Sequence, residues 1–509
     1  MVSKAGTIAI ALSLHAMLLA GCAVAPLPLT DAELQVRSAD ALTRVTAEQE
    51  PISAPVDLYE AMARALKYNL DHRVEVMEAS LRLRELDLAH YSLLPNAVAN
   101  SGYAARNNDH ASNSVNVITG VESLATSTSQ ERRIGTADVS FAWNILDFGL
   151  SYVRARQAAD KFLIAEELRR KVVHRVVEDV RTAYWRAVSA DRLLTRLRTL
   201  EARVRKVQAD TREISSERHT SPITAVTYER ELVEIKRAIQ ELERDLVVAR
   251  TQLSSLMNLK PGTKFELVHP QPATGSLALK MPVRDLLHVA MENRAELREV
   301  WYRQRINDHE LDAAMLELLP GLQLYAGTNF DSNDFLYNNE WINWGAKAGW
   351  NLMRVVQYPA KREVVEGQAQ LLDERALAVT MAVMTQVHVS RVRFLHLEKE
   401  LSTAVEYLDV QRRLVDMMRQ EAAADRISEQ TLIREEMNAL VAEVKRDIAF
   451  ASLQNAFANV YASTGLDPHG ADVDPALDIQ SLAAQLRQVW FERGDYGAAP
   501  RRARVSEAK

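Results

Sequence analysis

The chain has one cysteine among its 509 residues, which excludes an internal disulfide and any zinc or redox site built from paired thiols. Its 17 glycines are few for an all-β protein of this length. Neither sign of charge dominates: the net charge is −6, and Lys and Arg are spread along helical faces, so nothing marks a nucleic-acid partner. Beyond the N-terminal segment no apolar run reaches the roughly 18 residues that a membrane-spanning helix needs. Catalytic signatures are missing as well. No HExxH, P-loop, G-x-G-x-x-G or metal-spaced cysteine set occurs among these residues. The 12 histidines are scattered; His388 and His396 read as structural, and Glu266 with His269 is a chance ExxH in a Pro-containing connector. These absences predict a chain with no cofactor and no metal that is not an enzyme.

The N-terminus carries Lys4, then the apolar stretch 8–12, then Met17-Leu-Leu-Ala-Gly-Cys22. A basic residue before an apolar segment and small residues is the pattern of an export signal. The residues before Cys22 resemble the lipobox of bacterial lipoproteins, which implies a signal peptide over 1–21 and a lipidated, palmitate-bearing Cys22. Residues 22–55, with Pro26, Pro28, Pro51 and Pro55, read as an extended tether from lipid to the body of the protein.

Two stretches about 225 residues apart follow one plan. Residues 57–76 lead to Leu93-Leu94-Pro95, and 284–300 lead to Leu318-Leu319-Pro320, with Asn69 matched to Asn293. Trp143-Asn144-Ile145-Leu146 then pairs with Trp350-Asn351-Leu352-Met353. Each copy continues into a long charged and apolar stretch. From Phe162 through Ala165, Val172, Val180, Ala187, Leu194, Leu200 and Val207, apolar or small residues recur at an average step near 3.5, the period of a left-handed supercoil. Leu232, Ile235, Ile239, Leu242, Leu246, Ala249 and Leu253 repeat the pattern, as do Leu372, Val379, Val383, Val387, Phe394, Leu401, Leu408 and Val415. A helix from about 150 to 214 is roughly 95 Å long at 1.5 Å per residue, a length that suits a tube or stalk. The reversals fall at 215–223, which contains Pro222, and at 422–428, where Asp425 or Ser428 caps the returning helix.

Strict alternation marks the segments between the helices. Val139, Phe141, Trp143 and Ile145 alternate with Asp138, Ser140, Ala142 and Asn144; Trp344, Ala346, Ala348, Trp350 and Leu352 alternate with Gly345, Lys347, Gly349 and Asn351. Leu322, Leu324, Ala326 and Thr328 form a third run, and 97–106 a weaker fourth. About ten residues with one apolar face suit a strand that crosses a membrane. Four of the seven tryptophans (Trp143, Trp341, Trp344 and Trp350) fall in or beside these strands, as an aromatic girdle requires. The Asn/Ser/Thr-rich segment 107–133 reads as an exposed loop.

Together these features resemble the TolC-type outer-membrane factor family over residues 56–467. Trp143-Asn144-Ile145-Leu146-Asp147-Phe148-Gly149 is similar to the element that family carries at a strand end, with Asp147 shaping a strand-to-helix turn. The resemblance implies an α-helical barrel of coiled-coil hairpins joined to membrane β-barrel strands (Phe141, Trp143, Trp344, Trp350), with three chains sharing one twelve-stranded barrel and a periplasmic tunnel. It implies an outer-membrane exit duct for efflux or type I secretion, working passively with a periplasmic adaptor and an inner-membrane pump. The domains it implies are 56–257 (strand pair about 97–147), an equatorial connector 258–283, 284–465 (strand pair about 321–353) and a C-terminal extension 466–509. Adaptor docking falls at the tips, with Pro222 and Asp425, and the periplasmic gate at Arg426, Glu429 and Gln430. The sequence departs from the family in having no glycine in either tip and in placing Gln430 and Ile433 where acidic gate residues are usual, with Glu429, Glu435 and Glu436 nearby as substitutes. A lipid-anchored coiled-coil scaffold of the envelope is the alternative, and it needs neither alternating strands nor tryptophans beside them.

Overall fold

The computed structural model describes residues 27–47, 49–216, 222–269, 282–467 and 476–493. Cys22 and its leader, 217–221 of the first tip, connector residues 270–281 and the tail beyond 493 lie outside the described residues. The chain divides into two compact units, 1–51 and 52–509.

In the first unit, α1 (Asp31–Arg44) lies inside the segment expected to be an extended tether. A capping box starts it: Glu33 N–H donates to the Thr30 hydroxyl and Thr30 N–H donates to the Glu33 carboxylate. The prolines that suggested extension all fall outside the helix.

The second unit begins with α2 (Leu58–Tyr68) and α3 (Leu70–Tyr91), followed by β1 (Asn96–Ala105), β2 (Ala111–Val115), β3 (Glu122–Thr128) and β4 (Arg133–Asn144), then α4 (Ile145–Ser216) and α5 (Pro222–Leu256). The second half runs α6 (Val283–Asn293), α7 (Ala295–Leu316), β5 (Gly321–Asp331), β6 (Glu340–Gly349), α8 (Leu352–Ala423) and α9 (Glu429–Ser463), and α10 (Ile479–Glu492) closes the chain. Corresponding helices have equal lengths: α2 and α6 11 residues, α3 and α7 22, α4 and α8 72, α5 and α9 35. Asn69, which separates α2 from α3, corresponds to Arg294 between α6 and α7; the expected match to Asn293 is one residue out. Both residues hold extended backbone, but only the Asn69 side chain caps, accepting from His72 N–H at 3.1 Å.

Strands end sooner than alternation suggested. Ile145 opens α4 and Leu352 opens α8, because Asn144 and Asn351 turn their side-chain oxygens onto the first free helical N–H groups, those of Leu146 and Met353 (both 3.1 Å). Asp147 and Gly149 therefore lie in the first turns of a helix and shape no strand-to-helix turn. Trp350 sits between strand and helix, where its Nε1–H donates to the Leu318 carbonyl at 3.0 Å. The segment 107–133 holds the β2–β3 hairpin, whose Ser, Thr and Val residues have adequate β propensity.

The largest core lies where α4 passes between α2, α9 and α10, and Val176, Val180, Tyr184, Trp185, Phe450, Phe457 and Trp490 are all buried there. Trp490 packs between the guanidiniums of Arg181 and Arg493, at 4.4 and 5.2 Å from its ring centre. A parallel bridge from Val56 to Leu267 ties the connector to the start of the first half. Nearer the tips a second core follows the heptads: Leu193, Leu197, Leu200 and Val204 of α4 meet Leu232, Ile235 and Ile239 of α5 and Ile433, Met437 and Leu440 of α9.

Candidate channel wall and tip

Sheet order is β1-β4-β5-β6, antiparallel throughout, with β1 and β6 as open edges. The register gathers apolar residues on one face. Ala97, Phe141, Ala326 and Trp344 form one cross-strand row, and Ala99, Val139, Thr328 and Ile342 the next. The other face carries Asn100, Asp138 and Asn329 in one row and Ser140 and Asn343 in another. Polar groups there pair with one another: Asn100 donates to Asp138 and Asn329 to Asn343, both at 2.9 Å. Trp344 is 81% and Ile342 74% exposed, so nothing among the described residues covers the apolar face there. Of the four tryptophans, Trp143 and Trp344 lie on that face, Trp341 lies on the polar face, and Trp350 is in no strand. Gly345 faces Tyr325 across the strands, and a Cβ there would stand 2.5 Å from the Tyr325 hydroxyl, so a larger residue would require the tyrosine ring to swing away.

Helices pack in the same edge-to-edge manner. Near the sheet the neighbour order is α3-α4-α7-α8, and toward the tips it is α5-α4-α9-α8. In every layer the open edges are a first-half element on one side and α8 or β6 on the other. Those edges are apolar: α3 exposes Val74, Met77, Leu81 and Leu88, α5 exposes Val226, Val233 and Val247, and α8 exposes Tyr407, Val410, Leu414 and Met417 at heptad spacing.

The second tip is a compact reversal. After Ala423 the chain enters the left-handed region at Asp425 (φ 55°). Arg426 N–H donates to the Glu421 carbonyl at 2.9 Å and Asp425 N–H to that of Ala422 at 3.0 Å, which is a Schellman motif with aspartate where glycine is usual. Ser428 caps α9, accepting from Thr431 N–H at 3.2 Å. Arg426 pairs within its own tip, 3.3 Å from Glu421. Glu429 is largely exposed and 3.5 Å from Arg203, whereas buried Gln430 donates to Glu231 of α5 at 3.2 Å. The structure thus does not bring Arg426, Glu429 and Gln430 together. Pro222 opens α5, directly after residues outside the description.

A set of charges above the tip joins the two hairpins; of its acids the sequence singled out Glu436 but not Glu443 or Asp447. On α9, Glu443 lies 2.6 Å from Arg196 and 3.7 Å from Arg192 of α4, 3.4 Å from Arg412 of α8 and 4.0 Å from Arg446. One heptad closer to the tip, Glu436 pairs with Arg203 of α4 and, at 3.0 Å, with Arg419 of α8. Asp447 adds pairs with Arg192 and, at 3.0 Å, Arg446. Burial works to raise the Glu443 carboxyl, but Arg196, Arg192 and Arg412 outweigh it and hold it below the usual carboxylate range. Burial, more than the competing charges, pulls Arg446 below the ordinary arginine value. The seven-residue spacings 429, 436, 443 and 412, 419 were the available signal; the α4 partners, more than 200 positions away in the chain, hid it.

Among the described residues no helix is long and apolar enough to cross a membrane, and no cluster of side chains is suited to a metal. No protein-family model matches the sequence, and comparison with curated proteins finds no match. Solved structures do resemble it. The outer-membrane channel OprN is 14% identical, with a TM-score of 0.62 over 83% of this chain and 95% of its own. The Campylobacter jejuni CmeC outer membrane channel is 14% identical, with 0.61 over 92% and 98%. The open state of the Neisseria gonorrhoeae MtrE outer membrane channel is 16% identical, with 0.59 over 81% and 90%. At such identity the likeness establishes the fold: the chain is folded as the TolC-like outer-membrane channels are.

Proposed function

We propose that the protein is an outer-membrane duct of that family, built from three chains. The observation that carries this reading is the set of matching open edges in all three layers. Within one chain, α7 lies in the groove between α4 and α8, while α3 lies on α4 with its other flank bare. If the halves are copies of one unit, α3 belongs in the equivalent groove beside α8 of a neighbouring chain. The same rotation pairs β1 with the neighbour's β6 and α5 with its α8, a head-to-tail contact that closes into a ring. A four-stranded sheet cannot sit alone in hydrocarbon, because its edge N–H and C=O groups would go unpaired. Twelve strands from three chains leave no edge, with Phe141, Trp143, Val139, Trp344 and Ile342 toward lipid and the Asn/Ser/Asp rows toward water.

On this reading Cys22 carries the lipid and the helices form the periplasmic tunnel. Export is passive, driven by an inner-membrane pump through an adaptor that docks at the tips around Pro222 and Asp425. Opening swings the second hairpin (α8–α9) away from the first, so the Arg196–Glu443 and Arg203–Glu436 ties between α4 and α9 are what must part; Arg426, Glu429 and Gln430 sit at the moving end. Single-channel recording of the purified protein in planar bilayers tests this. Discrete pores from a particle with the native mass of three chains are expected, and a folded monomer without pores would overturn the proposal.

A further inference from the structure

We propose that the β2–β3 hairpins of the assembled copies meet at their tips and form an apolar closure over the mouth of the barrel farthest from the helices. This rests on the channel reading above. The hairpin leaves β1 at the end of the sheet opposite α3 and α4, and the chain has only one among its described residues: β5 and β6 are joined by a short turn, 332–339. It is built to hold its shape. Arg132 grips Asp109 with two bonds of 2.6 Å at the base, and Thr128 donates to the His110 carbonyl at 2.8 Å. Asn333, in the β5–β6 turn, accepts from Glu131 N–H at 3.1 Å and donates to the Ser129 carbonyl at 3.0 Å. At the tip, Asn116 accepts from Ile118 and Thr119 N–H (2.9 and 3.1 Å), and Gly120 takes the left-handed conformation (φ 66°) that completes the turn.

What this rigid turn presents is apolar. Val117 is 97% and Ile118 96% exposed, and Val121 and Leu124 stand bare beside them. An isolated two-stranded hairpin is marginal in water, so a stiffened one with aliphatic residues at its crest needs a cover. Glu122 is the only charge between 111 and 128, so the hairpin has no cation with which to hold an anionic lipid headgroup. A second copy fits instead. β1, from which the hairpin rises, is the strand at the inferred seam between chains. The roughly nine residues from Asp109 to Ile118 span about 30 Å at 3.4 Å each, and a twelve-stranded barrel with 4.8 Å spacing and 40° tilt has a radius of about 12 Å. A hairpin inclined over the mouth therefore has the length to bring its tip to the axis.

The test is Ile118→Cys in the full-length chain, with Ser112→Cys near the hairpin base as comparison and the unsubstituted chain as background for Cys22. A short bismaleimide applied to intact cells is expected to join two of every three I118C chains and none of the S112C chains. An impermeant maleimide should label the thiol introduced by I118C at least tenfold more slowly than the one introduced by S112C. If particles with the native mass of three chains show no cross-link and equal labelling, the closure is overturned and the channel reading stands. If the protein is a single chain by native mass, both fall.

Discussion

Replacing Glu443 with glutamine tests the claim that charge holds the two hairpins together. The side chain is buried, and its carboxylate serves arginines from α4 and α8 as well as Arg446 of its own helix. Breaking a fully buried pair costs about 3–5 kcal/mol, and breaking a surface pair about 0–1 kcal/mol. Arg196 and Arg412 are half exposed (53% and 51%) while Arg446 is at 12%, so the loss lies between those limits, about 2 kcal/mol. Arg412 and Arg446 move with Glu443 when α8–α9 swings, so only its ties to the partly exposed Arg196 and Arg192 of α4 bias opening; that share is about 1 kcal/mol, about a 5-fold gain in the ratio of open to closed channels. The assay is the fraction of time open in planar bilayers, alongside thermal unfolding of the same preparation. Glu429→Gln makes the same charge change at an exposed site 3.5 Å from Arg203, and should alter neither quantity measurably. E443Q matching wild type in both, or E429Q matching E443Q, would refute the reasoning.

Acid should act in the same direction. Glu443 is held below its unfolded value, so its contribution is complete above the ordinary glutamate pKa of about 4.3 and is lost as pH falls through the lower folded value. Open fraction should rise below about pH 4 in the wild type and change less in E443Q, and a pH series of recordings measures it. Ile342→Arg puts a cation on the apolar face of β6 and should cost about 2–4 kcal/mol of barrel stability, whereas Asn343→Arg on the opposite face should be tolerated; the migration of unboiled samples on gels separates the two. Asp425→Val forces a β-branched residue into the left-handed conformation and should destabilise the second tip by about 1–2 kcal/mol, read as faster amide exchange at 420–428; unchanged exchange would mean the tip turns some other way.

Periodicity in this chain carried most of its secondary structure. Heptad steps on α4, α5 and α8 and two-residue steps on β4, β5 and β6 report which face is buried, because side-chain direction repeats every 3.5 residues in a supercoil and every two in a strand. Element ends were less legible. Trp-Asn tags continued the alternation past the strand ends, and only the capping bonds of Asn144 and Asn351 stopped the strands. The helix at Asp31–Arg44 was legible in the Thr30/Glu33 pair, whereas the prolines at 26, 28, 51 and 55 only bracket it. A missing glycine at the second tip looked like a departure in sequence, yet Asp425 takes the same backbone position at a modest cost.

By itself, then, the sequence determined the helix and strand types and the faces they bury, since these depend on residues near one another in the chain. Only the tertiary structure decided which charges meet. Glu443 lies 247 positions from Arg196, and nothing local distinguishes it from any solvated glutamate until α4 and α9 pack side by side. It also decided which edges stay bare, because an apolar stripe covered inside the chain and one awaiting a neighbour have the same spacing.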